Sequence, residues 1–106
     1  MQKKQDKNLD KRYQVVYPSE DVVRFLARNF PDEHHTYNIL DLGCGFGRHS
    51  FLCAEQGFKT SAIDVIEERV IIAIRMAEER NLKIHFNVGN MLDLPFSDGQ
   101  FDGIIA

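Results

Sequence analysis

Two acidic residues lie near the ends of strand-like segments of this sequence, and a glycine-rich turn follows the first segment, so a ligand could bind there. The run NILDL, residues 38–42, contains Asp41 and leads into the turn GCGFG, residues 43–47, whose glycines are spaced two apart. Glycine tolerates positive φ and lets the backbone approach a ligand closely. Asp64 ends the next strand-like run, and an acid there can accept hydrogen bonds from the hydroxyls of a ribose. Together these residues predict a site for a ligand that contains a nucleoside.

The glycine spacing restricts the kind of nucleoside ligand. A dinucleotide fingerprint is GxGxxG, and its third glycine would fall where this chain has Arg48. A phosphate-binding P-loop needs GxxxxGK followed by Ser or Thr, and the sequence has no such run. The pattern therefore disfavours a dehydrogenase and a protein with a phosphate-binding P-loop.

The elements that position these residues alternate between strand and helix. The order is helix, strand, helix, strand, helix, strand, loop and strand, which predicts an α/β, Rossmann-like, doubly wound parallel sheet with helices on both faces. Ligands bind outside the carboxyl ends of the strands in such a sheet. The predicted strands are NILDL (38–42), KTSAID (59–64), KIHFNV (83–88) and the start of a fourth, FDGIIA (101–106).

Helix signals flank the predicted strands. Ser19 is a candidate N-cap for a helix that ends at Pro31, and a second helix from about Arg48 to Gln56 has Gly57 as its stop. A third helix, within residues 65–81, has Asn81 as its terminator and is too apolar for a narrow stripe, so we expect most of it to be core, with a partner surface as the alternative for the excess. In the strand that follows, Ile84, Phe86 and Val88 should share one face and Lys83, His85 and Asn87 the other.

Three motifs resemble the class I S-adenosylmethionine-dependent methyltransferases. DLGCGFG, residues 41–47, matches the family's first motif, an acid followed by xGxGxG. AIDVIEERV, residues 62–70, is similar to the family's second-strand segment with its ribose-binding acid. VGNMLDLPFSDGQFD, residues 88–102, resembles GDxxxLPFxDxxFD, a form common in members that act on small molecules. The resemblance covers about residues 38–106.

The resemblance implies roles for particular residues. Backbone around Gly43 and Gly45 would hold the methionine part of S-adenosylmethionine, or of its product S-adenosylhomocysteine, and Asp41 would orient the amino group. Asp64 would bind the ribose hydroxyls and Val65 would lie on the adenine ring. Asn90 would meet the exocyclic amine of adenine and the Met91 amide a ring nitrogen, although the family usually has Asp where this chain has Asn90. The full implied set is Asp41, Gly43, Cys44, Gly45, Gly47, Asp64, Val65, Asn90 and Met91.

Other polar residues are expected to be structural. Cys44 and Cys53 lack metal-ligand spacing, so we expect packed thiols and no metal site. Asp102 lies at the amino end of its strand, away from the expected site, and we assign no catalytic residue. His49 lies near the expected site without an evident partner. Two readings stay open for Tyr13 and Tyr17: they close over the pocket, or they simply pack.

The composition is that of one globular domain. The 106 residues carry a net charge of −3, which argues against nucleic-acid binding, and no apolar run is long enough to span a membrane. We expect a cytoplasmic protein with a polar arm at residues 1–18 and a cofactor-binding part at residues 19–106.

Complete family members continue beyond the fourth strand, where acceptor and catalytic groups usually lie. The expectation for this chain alone is cofactor binding with little or no transfer of a methyl group to a small-molecule acceptor. The fourth strand would be an exposed edge, which could pair in a homodimer. The alternative is a non-catalytic binding or interaction module that kept the nucleoside fold.

Overall fold

The computed structural model describes residues 19–90, 92, 94–97 and 99–106. It confirms the predicted α/β order, and a short 3-10 helix at His34–Thr36 precedes the first strand. The helices are α1 (Glu20–Asn29), α2 (Arg48–Glu55) and α3 (Glu67–Glu79), and the strands are β1 (Asn38–Leu42), β2 (Lys59–Asp64), β3 (Ile84–Val88) and β4 (Gly103–Ile105).

The four described strands form one parallel sheet in the order β3-β2-β1-β4. Leu42 is paired with Ile63, and Asp64 is paired with Val88, so the carboxyl ends of β1, β2 and β3 lie side by side. At the other end, the Asp102 carboxylate accepts a hydrogen bond from the Asn38 amide at 2.8 Å. Asp102 therefore joins the starts of β1 and β4, which is the structural role that the sequence predicted.

Local signals at the helix ends agree with the prediction. The Ser19 hydroxyl accepts a hydrogen bond from the Val22 amide and caps α1. Gly57 (φ 92°) and Asn81 (φ 57°) adopt the left-handed conformation just past α2 and α3, which ends each helix.

The three α-helices of the described residues pack on one face of the sheet. One core cluster joins Leu26 of α1 and Cys53 of α2 to Ile39 of β1, and in a second Phe51 of α2 packs with Ala73 of α3. Successive strand residues point to opposite faces. Leu40 and Ile104 therefore lie on the other face, where they line a cavity of about 380 Å³ with Leu92, Leu94, Phe96 and Phe101. Helices were predicted on both faces; among the described residues the α-helices lie on one.

Helix α3 is less buried than its composition predicted. Val70, Ala73 and Ala77 form its buried stripe, whereas Ile71, Ile72 and Ile74 are exposed. A helix that packs on a sheet buries only the residues on one side, at spacings of three and four. The prediction that most of α3 is core was therefore wrong.

The predicted alternation fails at the end of β3. Ile84 and Phe86 are half-buried as expected, but Val88 is 51% exposed and Asn87 is half-buried. The Asn87 Nδ2 atom has no hydrogen-bond partner, the one such buried side-chain atom among the described residues. The strand order places β3 at the outside of the described sheet, a position for which its alternating sequence is typical.

Candidate functional site

The sheet brings the predicted site residues together at the carboxyl ends of its strands. The glycine turn, residues 43–47, follows β1, Asp64 ends β2, and Gly89 and Asn90 follow β3. The Gly89 amide donates to the Asp64 carbonyl at 3.0 Å, which holds the turn after β3 beside the end of β2. Met91 lies outside the described residues, as do Tyr13, Tyr17 and the arm at residues 1–18.

Asp64 lies at the centre of this end of the sheet, where its carboxylate accepts hydrogen bonds from two backbone segments. Its Oδ2 accepts a hydrogen bond from the Gly45 amide and its Oδ1 one from the Ile66 amide, both at 2.8 Å. The side chain is 7% exposed. An ionised carboxylate can accept about four hydrogen bonds. Asp64 therefore fixes the glycine turn against β2 and keeps lone pairs for further donors such as hydroxyls.

The amides of the glycine turn are already used within the protein. Gly43 and Cys44 both donate to the Ile63 carbonyl at 2.9 Å, and Gly45 donates to Asp64. Loops that bind phosphate offer such amides to the ligand. The Gly47 amide donates to the Cys44 carbonyl at 2.9 Å, so this turn has a carboxylate at its centre and four of its amides engaged, which makes it unsuited to binding phosphate.

Asp41 lies beneath the turn at the start of α2. Its Oδ2 accepts a hydrogen bond from the Ser50 hydroxyl at 2.7 Å, and the carboxyl is 3% exposed. Burial raises the pKa of Asp41, while the bond from Ser50 and the nearby charges of His49 and Arg48 oppose the shift. The structure therefore places Asp41 in the interior, where it orders the beginning of α2.

Gly47 is required by packing as well as by backbone conformation. It is the N-cap of α2 with φ 95°, and a Cβ built there would lie 3.0 Å from the Phe51 Cζ and 3.4 Å from the Ala73 Cβ. A side chain would therefore require the buried Phe51 ring to move. Gly43 and Gly45 differ, because no heavy atom lies within 4 Å of a Cβ built on either.

Both cysteines are inert thiols in this environment. Burial raises the pKa of Cys44 to about 12, and the charges of Asp41 and Asp64 add to the effect. Burial also raises the pKa of Cys53 to about 12. The thiolate is the reactive form of cysteine, so neither residue is a nucleophile near neutral pH. Among the described residues no cluster of potential metal ligands occurs.

His49 has a partner that the sequence did not predict. Its Nε2 accepts a hydrogen bond from the Ser19 amide at 3.2 Å, which links the start of α1 to the first turn of α2. Burial lowers the pKa of His49, and the Asp41 charge opposes the shift. No local signal could reveal this contact, because the partners lie 30 positions apart.

The side of the site near β3 offers an apolar surface and an amide. Val65, directly after Asp64, is 66% exposed. Asn90 is exposed, and its Oδ1 accepts a hydrogen bond from the Leu92 amide at 2.8 Å. A flat ring could lie against Val65 with its polar edge near Asn90.

Among the described residues no helix has the length and apolarity to cross a membrane.

Comparison with known proteins identifies similar domains. Residues 39–106 match the family described as a methyltransferase domain. The chain is 37% identical over 82 residues to ajmaline N-methyltransferase of Rauvolfia serpentina, an alignment covering 73% of this chain and 28% of that protein. It is 37% identical over 68 residues to the ubiquinone biosynthesis O-methyltransferase of Rickettsia akari, covering 64% and 27%. The chain thus spans about a quarter of the length of these curated relatives.

A solved structure extends the similarity to the fold. The tRNA (uracil-54, C5)-methyltransferase of Pyrococcus abyssi, in complex with S-adenosyl-L-homocysteine, superposes with a TM-score of 0.64 at 27% identity. The match covers 81% of this chain and 20% of that one. The described residues thus share the fold of part of a methyltransferase that was solved in complex with this nucleoside product.

Proposed function

The chain belongs to the family of class I S-adenosylmethionine-dependent methyltransferase domains, and we propose that it is the cofactor-binding part of a small-molecule methyltransferase. The cofactor is S-adenosylmethionine, and S-adenosylhomocysteine is what remains after transfer. When bound, the cofactor supplies a methyl group on a positively charged sulfur. The role of this chain is to bind the nucleoside and fix its position.

The polarity of the site is the observation that carries the proposal. The amides of Gly43, Cys44 and Gly45 are engaged, while the buried carboxyls of Asp41 and Asp64 lie under and beside the turn. A dinucleotide or nucleotide would bring phosphate charge to this turn, where two acids would repel it. S-adenosylmethionine suits the same surroundings, because its ammonium and sulfonium outweigh its single carboxylate and its ribose hydroxyls can donate to a carboxylate oxygen.

The described residues fit such a ligand. The open space beside Gly43 and Gly45 admits a chain close to the backbone, whose carbonyl oxygens can accept bonds from an ammonium group. The remaining lone pairs of Asp64 suit the ribose hydroxyls, and exposed Val65 suits the base. Asp41 acts through the order that it imposes on the turn and on α2.

The acceptor proposed for the whole enzyme is a small molecule. The relative from Rauvolfia serpentina is named for methylation of ajmaline at nitrogen, and the one from Rickettsia akari for ubiquinone biosynthesis. Methyl transfer depends mainly on holding the acceptor close to and in line with the methyl group. The cofactor-binding part would hold the methyl donor in place, and the acceptor would be aligned with it.

A calorimetric titration with S-adenosylhomocysteine, and in parallel with NAD, tests the proposal. We expect saturable binding of the first ligand and none of the second at the same concentration. Tighter binding of NAD would contradict the argument from site polarity. A folded chain that binds neither ligand would instead support the alternative, a binding or interaction module that kept only the fold.

A further inference from the structure

The outer face of α3 carries a charge pattern that is complementary to itself. We propose that a second copy of this chain docks on this face, so that two α3 helices pack antiparallel across a twofold axis. The outer face of α3 consists of four exposed residues, Glu68, Ile71, Ile72 and Arg75. It lies opposite the buried stripe through Ala73, which packs with Phe51 of α2.

Two isoleucines form the apolar centre of this face. Ile71 is 46% exposed and Ile72 is 40% exposed. Single exposed apolar side chains are common on protein surfaces, whereas adjacent ones rimmed by polar residues mark interaction sites. Here the rim is charged, with Glu68 one helical turn before the isoleucines and Arg75 one turn after them.

The two charges of the rim are not neutralised within the described part of the chain. Glu68 and Arg75 are seven residues apart, which is about 10.5 Å along a helix axis, so they are too far apart to pair with each other. Neither forms an ion pair with another described residue. The other two arginines of residues 67–80 lie over aromatic rings. Both charges of this face are therefore available to a partner.

An antiparallel second copy satisfies both charges at once. A twofold axis between positions 71 and 72 brings Ile71 of each copy beside Ile72 of the other, and it brings Glu68 of each copy opposite Arg75 of the other. Such an interface uses the same surface on both subunits. A parallel arrangement would place Glu68 against Glu68 and Arg75 against Arg75, and like charges repel. The charge pattern thus selects one orientation of the partner helix.

The size of the contact sets the strength that we expect. Helix α3 has 13 residues, and four of them form the outer face. We expect such a pair of helices to bury less than the roughly 1,200 Å² of a small stable interface. The dimer should therefore be weak and reversible, with a dissociation constant between roughly 10 μM and 1 mM.

Sedimentation equilibrium on the full chain, at concentrations up to about 1 mM, tests the proposal. Every protein in the experiment carries Ile104→Lys, so that pairing through the β4 edge does not contribute. Glu68→Arg and Arg75→Glu each place two like-charge pairs across the interface, and each should raise the dissociation constant by about tenfold or more. Circular dichroism confirms that each variant is folded.

Mixing the two charge variants gives the decisive measurement. In an equimolar mixture of Glu68→Arg and Arg75→Glu, both positions of the mixed dimer again hold opposite charges. The mixture should therefore associate within about threefold of the parent, although each variant alone does not. The double variant Glu68→Arg/Arg75→Glu should dimerise as the parent does. Because the two residues do not meet within one helix, this recovery requires contact between copies.

A matched pair of substitutions tests the apolar centre. Ile72→Lys should raise the dissociation constant by about tenfold or more, because it places two lysines at the twofold axis. Val23→Lys changes a residue of α1 that is also 40% exposed, and it should leave the dissociation constant unchanged.

Three results would overturn the proposal. One is a parent that stays monomeric at about 1 mM, which would leave this face to a different protein or without a partner. Another is a dimer that neither charge variant weakens. The third is a mixture of the two folded charge variants that associates no better than either variant alone.

Discussion

Replacing Asp64 with alanine tests the central feature of the site, the carboxylate that joins the glycine turn to β2. The change leaves the Gly45 and Ile66 amides without their acceptors. A hydrogen bond to a charged group contributes about 1.5 to 3 kcal/mol. Ile66 is 38% exposed, so water can replace much of its bond, whereas half-buried Gly45 has less access to water. We therefore expect a loss of about 2 to 4 kcal/mol in the free energy of unfolding.

Urea unfolding followed by circular dichroism measures this loss, and amide hydrogen exchange localises it to Gly45. A chain of 106 residues has a total stability of about 5 to 16 kcal/mol, so the variant should remain mostly folded. The exposed substitution Glu78→Ala removes the same charge from α3 and serves as the control. If Asp64→Ala is as stable as the control and the Gly45 amide stays protected, the carboxylate does not hold the turn and the reasoning is refuted.

The same variant has a second readout in ligand binding. If Asp64 also binds the ribose, its loss should weaken the binding of S-adenosylhomocysteine by about 1.5 to 3 kcal/mol, after correction for the fraction of the variant that is unfolded. Loss of stability with unchanged affinity would leave Asp64 a purely structural role.

Three further predictions concern other parts of the fold. Gly47→Ala should cost at least about 1 to 3 kcal/mol in urea unfolding, because the residue has positive φ and its Cβ would contact Phe51; wild-type stability would contradict the packing argument. Protonation of His49 breaks the hydrogen bond that it accepts from the Ser19 amide. Because the folded pKa of His49 lies below the ordinary 6.5, the free energy of unfolding should fall as the pH drops from about 6.5 through the folded pKa. In His49→Gln, which does not titrate, this fall should shrink, and identical pH profiles would exclude the contact. Ile104→Lys should reduce self-association of this chain through the exposed β4 edge by light scattering, and a monomeric parent chain at high concentration would contradict that prediction.

Much of the fold could be predicted because its signals are local. Ser19, Gly57 and Asn81 mark helix ends through their own side chains or backbone preferences, and the short apolar runs gave the strands of the sheet. The errors arose where burial depends on distant neighbours. Composition predicted most of α3 to be core, but only the stripe through Ala73 meets the rest of the protein. The clean alternation of β3 is typical of a strand near a sheet edge, and the strand order confirms that position, but the pattern did not reveal that Val88 at the end of the strand is exposed.

The sequence by itself determined the kind of ligand site. The spacing of glycines in residues 43–47, the acid at Asp64 and the alternating order of elements are properties of short segments, and they indicated a nucleoside site that is not built for a dinucleotide. Tertiary structure decided how the donors and acceptors of that site are used. Gly45 meets Asp64 across 19 positions of sequence, and His49 meets Ser19 across 30. Such contacts depend on the path of the chain through the sheet, because a hydrogen bond requires its two atoms to lie about 3 Å apart.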